Sequence, residues 1–309
     1  MEQRIELSPE LTAIALAYKN KNYIAEEIFP KVPVSTSTFK YKEYDKNNYF
    51  LVPETKIGER GIPNNVEYRG VEKEASVEDH ALEEYIPVSK RKEYEDKGID
   101  IDEKATNQVV GLLKTRKEII VSSLLANVNS YGGNGGNVKT LNSNEKMNND
   151  NSNALKLILT AANELLYAPN ILVCSRKVLN ALRMNPYIVD ACGTASKKAG
   201  VVSVEELENK LSLKIYAGDS IVNTAKKGQP ASLAIAWGDH ISLIRIDKTA
   251  DTDGGITFGF EAEYERIQVG KYFDGKPGTQ GCDIVKAFYS SKYLNICADA
   301  GYLLKDVLG

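Results

Sequence analysis

Pro30 and Pro33 stand three residues apart in Tyr23-Ile24-Ala25-Glu26-Glu27-Ile28-Phe29-Pro30-Lys31-Val32-Pro33-Val34, and this spacing limits what the segment can become. Each proline fixes its own φ and pushes the residue before it toward extended backbone. The segment is therefore extended, yet it carries Ile28, Phe29 and Val32 with no helix to fold against. It needs a surface to lie on, either a neighbouring chain or the body of its own domain, and the residues alone leave both open. A tyrosine-rich run, Phe39-Lys40-Tyr41-Lys42-Glu43-Tyr44-Asp45, follows at once.

Residues 1–34 read as an arm, with Ser8 as N-cap and Pro9 as first residue of a short helix that ends by Tyr18. Residues 35–88 read as a long β-hairpin. Its strand-like ends, Phe39 to Tyr44 and Val71 to Val88, flank a middle containing Pro53, Gly58, Gly61, Pro63, Asn64 and Asn65. Residues 67–104 carry 13 acidic and 7 basic side chains, so one side of the hairpin is expected to be wet.

Asp100, with Glu103 three residues on, opens the best helix of the sequence as in a capping box. Apolar residues at Ala105, Val109, Leu112, Leu113, Ile119, Ile120, Leu124, Leu125 and Val128 keep one stripe at a 3.6 period. A helix of about 25 residues spans roughly 40 Å. Residues 127–153 contain ten asparagines and the run Gly132-Gly133-Asn134-Gly135-Gly136, which predicts a loop or flexible insertion and no packed element. The order required of a phosphate-binding Gly-x-x-x-x-Gly-Lys-Ser/Thr loop is missing.

Beyond it, helices and short strands alternate. Helices are expected over Ala154 to Tyr167, Lys177 to Met184 (stopped by Asn185-Pro186) and Val204 to Lys210, with strands at Ile171 to Cys174 and Leu213 to Tyr216. Leu233 to Trp237 and Ile241 to Ile246 flank Gly238-Asp239 as a hairpin candidate. From Ile256 to Glu265 apolar and acidic residues alternate, predicting a strand with one buried face and one acidic, exposed face. The apolar phase shifts after Arg266, which calls for a bend, a bulge or a change of partner. A strand over Asp283 to Ser290 follows, and Tyr293 to Leu308 could return to the α/β region.

Composition narrows the function. At 309 residues with 42% hydrophobic and 26% charged content, the chain can bury a large core. No run of about 18 apolar residues exists to span a bilayer, so no membrane association is expected. The first residues lack the cationic-then-apolar order of a secretory signal, and residence in the cytosol is expected. Cys174, Cys192, Cys282 and Cys297 lie far apart, and His80 and His240 fit no ligand spacing, so neither metal nor cofactor is expected. A net charge of −3 argues against a protein that coats nucleic acid by counterion release.

The stretch Tyr23 to Tyr44 resembles the opening of major capsid proteins of tailed bacteriophages, and the order of elements resembles the Hong Kong 97-type capsid fold along nearly the whole chain. More diffuse likeness lies in Leu179 to Ile188 and Ala236-Trp237-Gly238. The resemblance implies an α+β fold with an N-terminal arm (1–34), an extended loop or β-hairpin (35–88) and a spine helix (89–130). It further implies an α/β axial domain (131–254), peripheral antiparallel strands (255–292) and a return to the axial domain (293–309). It implies a structural protein of the virion, assembled in the host bacterial cytoplasm. Its copies would form hexamers and pentamers of an icosahedral shell, enclosing double-stranded DNA without sequence-specific binding. A separate scaffold protein, a portal and decoration proteins are the other partners it implies, with no fused N-terminal scaffold expected. Tyr23, Ile28, Phe29, Val32, Phe39, Tyr41, Tyr44, Tyr49 and Phe50 are the candidate assembly residues.

Two other readings compete. An encapsulin-like nanocompartment or a domesticated gene-transfer particle would keep the fold and change the cargo. A hydrolytic enzyme would use Cys174 or Ser175 as nucleophile, His240 as base and Asp219 or Asp239 to orient it. No Gly-x-Ser-x-Gly elbow surrounds Ser175, however, and Ile-Leu-Val-Cys174 reads as core.

Overall fold

The computed structural model describes residues 5–43, 52, 54–57, 61–64, 71–133, 135–193, 200–226, 228–253 and 255–309. Tyr44, Tyr49 and Phe50 lie outside them. The arm begins with β1 (Glu6–Leu7) and α1 (Pro9–Ala17), whose N-cap Ser8 accepts the Leu11 N–H at 3.3 Å. A single turn, α2 (Ala25–Ile28), then leads into β2 (Lys31–Pro33).

β3 (Thr38–Glu43) and β4 (Val71–Ser76) pair antiparallel as a two-stranded ribbon, from Thr38 opposite Ser76 to Glu43 opposite Val71. The chain continues through β5 (Glu78–Pro87), the charged helix α3 (Val88–Asp96) and the 26-residue α4 (Ile101–Ala126). Asp100 caps α4 by accepting the N–H groups of Asp102 and Glu103. One sheet runs β1-β12-β13-β5, where β12 is Gly259–Asp274 and β13 Cys282–Asn295, and β2 lies parallel to β12. Val109, Val110 and Leu113 of α4 pack with Leu11 and Ala15 of α1 over Val269, Val285 and Ala287 of this sheet.

The second sheet runs β6-β14-β11-β7-β8 and carries the α/β domain: β6 (Val138–Thr140), β7 (Ile171–Ser175), β8 (Lys214–Gly218), β11 (Ile241–Ile244) and β14 (Gly301–Lys305). Its helices are α5 (Ala154–Glu164), α6 (Arg176–Met184), α7 (Pro186–Cys192) and α8 (Val204–Leu211). β14, Gly301–Lys305, sits between β6 and β11, while Tyr293–Asn295 still belong to β13. The phase shift after Arg266 is real: the β12–β13 register slips between Glu263 and Gln268, as a bulge requires.

Three expectations change, and a fourth, the stop at Asn185-Pro186, holds and is extended. The asparagine-rich stretch is packed, with Tyr131, Leu141 and Met147 buried and β6 parallel to β14. Its asparagines serve the turns: Asn127 accepts the Asn129 N–H, Asn149 that of Asn151, and Asn153 caps α5. Leu233 to Trp237 does not hairpin with Ile241 to Ile246. Instead β10 (Leu233–Ile235) pairs with β9 (Ile221–Asn223), because β11 is buried on both faces as an inner strand between β14 and β7. Asn185-Pro186 ends α6 and at once starts α7, Asn185 capping and Pro186 filling the first helical position. Finally, the acidic face of β12 is not wholly exposed, for Glu261 is fully buried while Tyr264 of the expected buried face is exposed. The reason lies on α4, which lowers a lysine onto Glu261.

Candidate functional site

The arm, α4, the β12–β13 sheet and the α/β domain meet at one buried polar junction. The buried stripe of α4 runs from Val109, Val110 and Leu113 to Val121 and Leu125 through positions 117 and 118, and the sequence has Lys117 and Glu118 there, both buried. Burying charge is tolerated only with partners. Lys117 Nζ donates to Glu261 Oε1 at 2.8 Å, lies 3.4 Å from Glu26 Oε1 of the arm, and sits over the Tyr289 ring. Ser291 donates a second hydrogen bond to Glu261 Oε1 at 2.8 Å.

Glu118 turns its oxygens in two directions. Oε1 accepts the backbone N–H groups of Ile24 and Ala25 at 2.8 and 2.6 Å, where α2 begins, and Oε2 accepts the Trp237 indole N–H at 2.8 Å. Burial pushes the Glu118 carboxyl above its ordinary pKa despite these donors. Burial also acts on Glu26, but the cations of Lys117, Lys31 and Lys114 outweigh it and hold that carboxyl below the usual range. Lys31 is likewise desolvated, yet Glu261, Glu26 and Glu263 raise its pKa.

This junction places the candidate assembly residues. Ile28 and Phe29 are buried with Val121, Leu125 and Phe258, and the Phe29 ring meets Tyr293 edge-on at 5.9 Å. Val32 and Phe39 are buried with Phe260, Ala262 and Leu294. The apolar arm therefore finds its surface on its own subunit, and the expectation that these four side chains face a neighbour is revised. The physical reason is that β2 pairs along an edge of the sheet while Glu118 satisfies the Ile24 and Ala25 N–H groups that the start of α2 leaves without helical partners. Tyr23 is half-buried, its hydroxyl 2.7 Å from Thr115 Oγ1, and Tyr41 is half-buried beside Phe39 at 6.4 Å. Sequence reasoning missed Lys117, Glu118 and Glu261; the interruption of the α4 stripe by adjacent opposite charges was the available signal.

The hydrolytic candidates are not assembled. The Cys174 thiol is buried, with its pKa pushed up to about 12, and the buried Ser175 hydroxyl caps α6 by accepting the Val178 N–H. Asp219 pairs with Arg176 at 3.1 Å. Among the described residues no group of three metal-ligating side chains converges, and no helix is long and apolar enough to cross a membrane.

No family model matches the chain. The major capsid protein of Pseudomonas phage JBD67 is 35% identical over 312 residues, spanning 98% of this chain and 97% of that protein. The major capsid protein of Burkholderia phage BcepMu is 23% identical over 311 residues, again with 98% and 97% covered. Among solved structures, a phage-related protein from Bordetella bronchiseptica RB50 has a TM-score of 0.74 at 21% identity and covers 99% of both chains. The capsid of cyanophage P-SCSP1u has a TM-score of 0.58 at 8% identity, covering 93% of this chain and 89% of its own. Solved encapsulin and gene-transfer-agent particles share the same fold.

Proposed function

The chain belongs to the major capsid proteins of tailed phages, and from that premise we propose that its copies close into hexamers and pentamers of an icosahedral head around double-stranded DNA. The observation that carries this reading is 35% identity along nearly the whole chain to a phage major capsid protein. Cargo shells of the encapsulin kind support only the fold, at 10% identity. A net charge of −3 suits a container whose genome is driven in and not gripped. The protein acts by assembly and catalyses no reaction; it is made and assembled in the host bacterial cytoplasm and resides in the virion. A scaffold protein encoded separately, a portal and decoration proteins are its further partners.

The candidate assembly residues divide by role in this reading. Ile28, Phe29 and Val32 hold the arm from within and Phe39 holds the start of β3, while Tyr23 and Tyr41 are the side chains that a neighbouring copy covers, with Tyr44, Tyr49 and Phe50 as the further candidates. A two-stranded ribbon such as β3–β4 is marginal in water by itself and gains from lying over a neighbour. The test is expression together with the adjacent genes, followed by nuclease treatment and extraction of the purified particles. Protected double-stranded DNA supports a genome container; particles that protect protein cargo and no DNA overturn it.

A further inference from the structure

β5 is an edge strand, so among the described residues its backbone is held from one side, by β13. Its first rungs set Glu78, Asp79 and His80 opposite Ser291, Ser290 and Tyr289. Val77 alone separates them from β4, so these rungs are the root from which the β3–β4 ribbon leaves the sheet. Polar contacts hold two of them: Lys292 Nζ donates to Glu78 Oε1 at 2.9 Å, and the Ser290 hydroxyl donates to Asp79. The third is held by stacking, for the half-buried His80 imidazole lies on the Tyr289 ring at 4.8 Å with 25° between the planes. The same ring already carries one cation, since Lys117 Nζ stands 4.6 Å from its centroid. The far end of β5 is anchored separately, by Ile86 buried with Val109 and Val285.

We propose that His80 is an acid-sensitive catch at the root of the ribbon: neutral, it stacks on Tyr289 and holds the first rungs of β5 to β13; protonated, it releases them while the rest of the sheet stays paired. Imidazole is the group here that titrates near neutral pH. The groups around it are Glu78 and Asp79 on β5, Arg116 and Lys117 on α4, Tyr289 and Lys292 on β13, and Glu261 of β12 beyond Lys117. Burial disfavours the imidazolium most, and Arg116 and Lys117 add to it; Glu78 and Asp79 oppose them, but Lys292 and Ser290 already engage those carboxylates. The balance draws the His80 pKa below its ordinary value. A histidine shifted in that direction contributes fully above its unfolded value, near about 6.5, and loses the contribution as pH falls through it. Local opening of this kind needs no global unfolding. It frees the second strand of the ribbon at its root, while Phe39 keeps the first strand on the sheet. The angle at which the ribbon leaves the subunit then depends on pH.

The test is hydrogen exchange of the full chain, read by mass spectrometry over residues 76–82. His80→Phe keeps an aromatic ring on Tyr289 and cannot titrate; His80→Lys carries a cation throughout the range. Parent and variants are compared at equal pH, so the intrinsic pH dependence of exchange cancels. Near about pH 7.5 the parent and His80→Phe should exchange alike and His80→Lys faster; near about pH 5 the parent should exchange at least about threefold faster than His80→Phe. Proton NMR gives a second reading on the parent, whose histidines are His80 and His240 alone, with His80→Phe assigning the signal. The His80 midpoint should fall below the ordinary value near about 6.5. An acid response that survives in His80→Phe, a His80→Lys rate equal to the parent's near about pH 7.5, or a His80 midpoint at or above the ordinary value overturns the catch. Each of these is read on the subunit itself, so the catch can fail while the shell reading stands.

Discussion

Glu118 and Trp237, 119 residues apart, are joined by an indole N–H donated to Oε2 at 2.8 Å, while Oε1 of the same carboxylate takes the Ala25 N–H at 2.6 Å. One side chain of α4 thus ties the arm to the α/β domain. Because Glu118 accepts only neutral donors there, its substitution leaves those donors buried and unpaired. Replacing Glu118 by Gln puts an amide donor against one of them and should cost about 1–3 kcal/mol. Trp237 is the only tryptophan, so its emission reports the junction directly. Glu118→Gln should shift that emission to the red and lower the denaturation midpoint of the dissociated subunit; unchanged emission with an unchanged midpoint would contradict the role given to Glu118.

Lys117 and Glu261 form a buried pair, and removing one partner strands the other's charge. Lys117→Met should destabilise the subunit by roughly 3–5 kcal/mol, whereas Lys117→Met combined with Glu261→Leu should recover most of the loss. Urea unfolding of Lys117→Met, of Glu261→Leu and of the double variant measures the coupling. A double variant as unstable as the sum of the singles would mean that the pair is not a unit.

Acid should loosen the subunit through specific carboxylates. Asp102 accepts hydrogen bonds from Arg91 at 2.6 Å and Lys271 at 2.7 Å, and these cations outweigh burial and hold its pKa down. A carboxyl whose folded pKa lies below its unfolded value stabilises the fold above the ordinary range near about 4 and loses that contribution as pH falls through the depressed value. Glu26 behaves in the same way. Glu118 has the opposite sign: its raised folded pKa contributes below the unfolded value and fades as pH rises through the folded one. Asp102→Asn should therefore flatten the acid limb of a stability-against-pH profile. A limb as steep as the parent's would assign the acid sensitivity elsewhere.

Gly218 lies where a Cβ would come within 2.2 Å of the Trp237 ring. Gly218→Ala must displace the indole or the end of β8, at a cost of about 1–3 kcal/mol. Thermal melting together with Trp237 emission should show both a lower midpoint and an altered indole environment, and a silent substitution would mean that the close approach relaxes freely.

The sequence made some of this legible and hid the rest for physical reasons. Ser8-Pro9 and Asp100 announced their helices because capping chemistry is local. The alternation from Ile256 onward announced β12, and its phase shift announced the bulge. Where a strand pairs is not local: Leu233 to Trp237 reads as a hairpin partner for Ile241 to Ile246, but β11 is already flanked by β14 and β7, which leaves no room there. Asparagine density read as looseness, although the same side chains hold the turns around buried Tyr131 and Met147. The junction was least visible. A lysine and two glutamates at apolar-looking depth are intelligible only once α2, α4 and β12 are side by side.

The central claim is that this subunit, its arm docked on its own α4 by Glu118, builds a closed shell from copies of itself. Cryo-electron microscopy of particles formed by the full chain with its adjacent genes tests it most directly. The account predicts closed shells with subunits clustered in sixes and fives, and density joining the Ala25 turn to Glu118 and Trp237 within one copy. A protein that remains monomeric at high concentration, and yields no closed particle with those genes present, would contradict it.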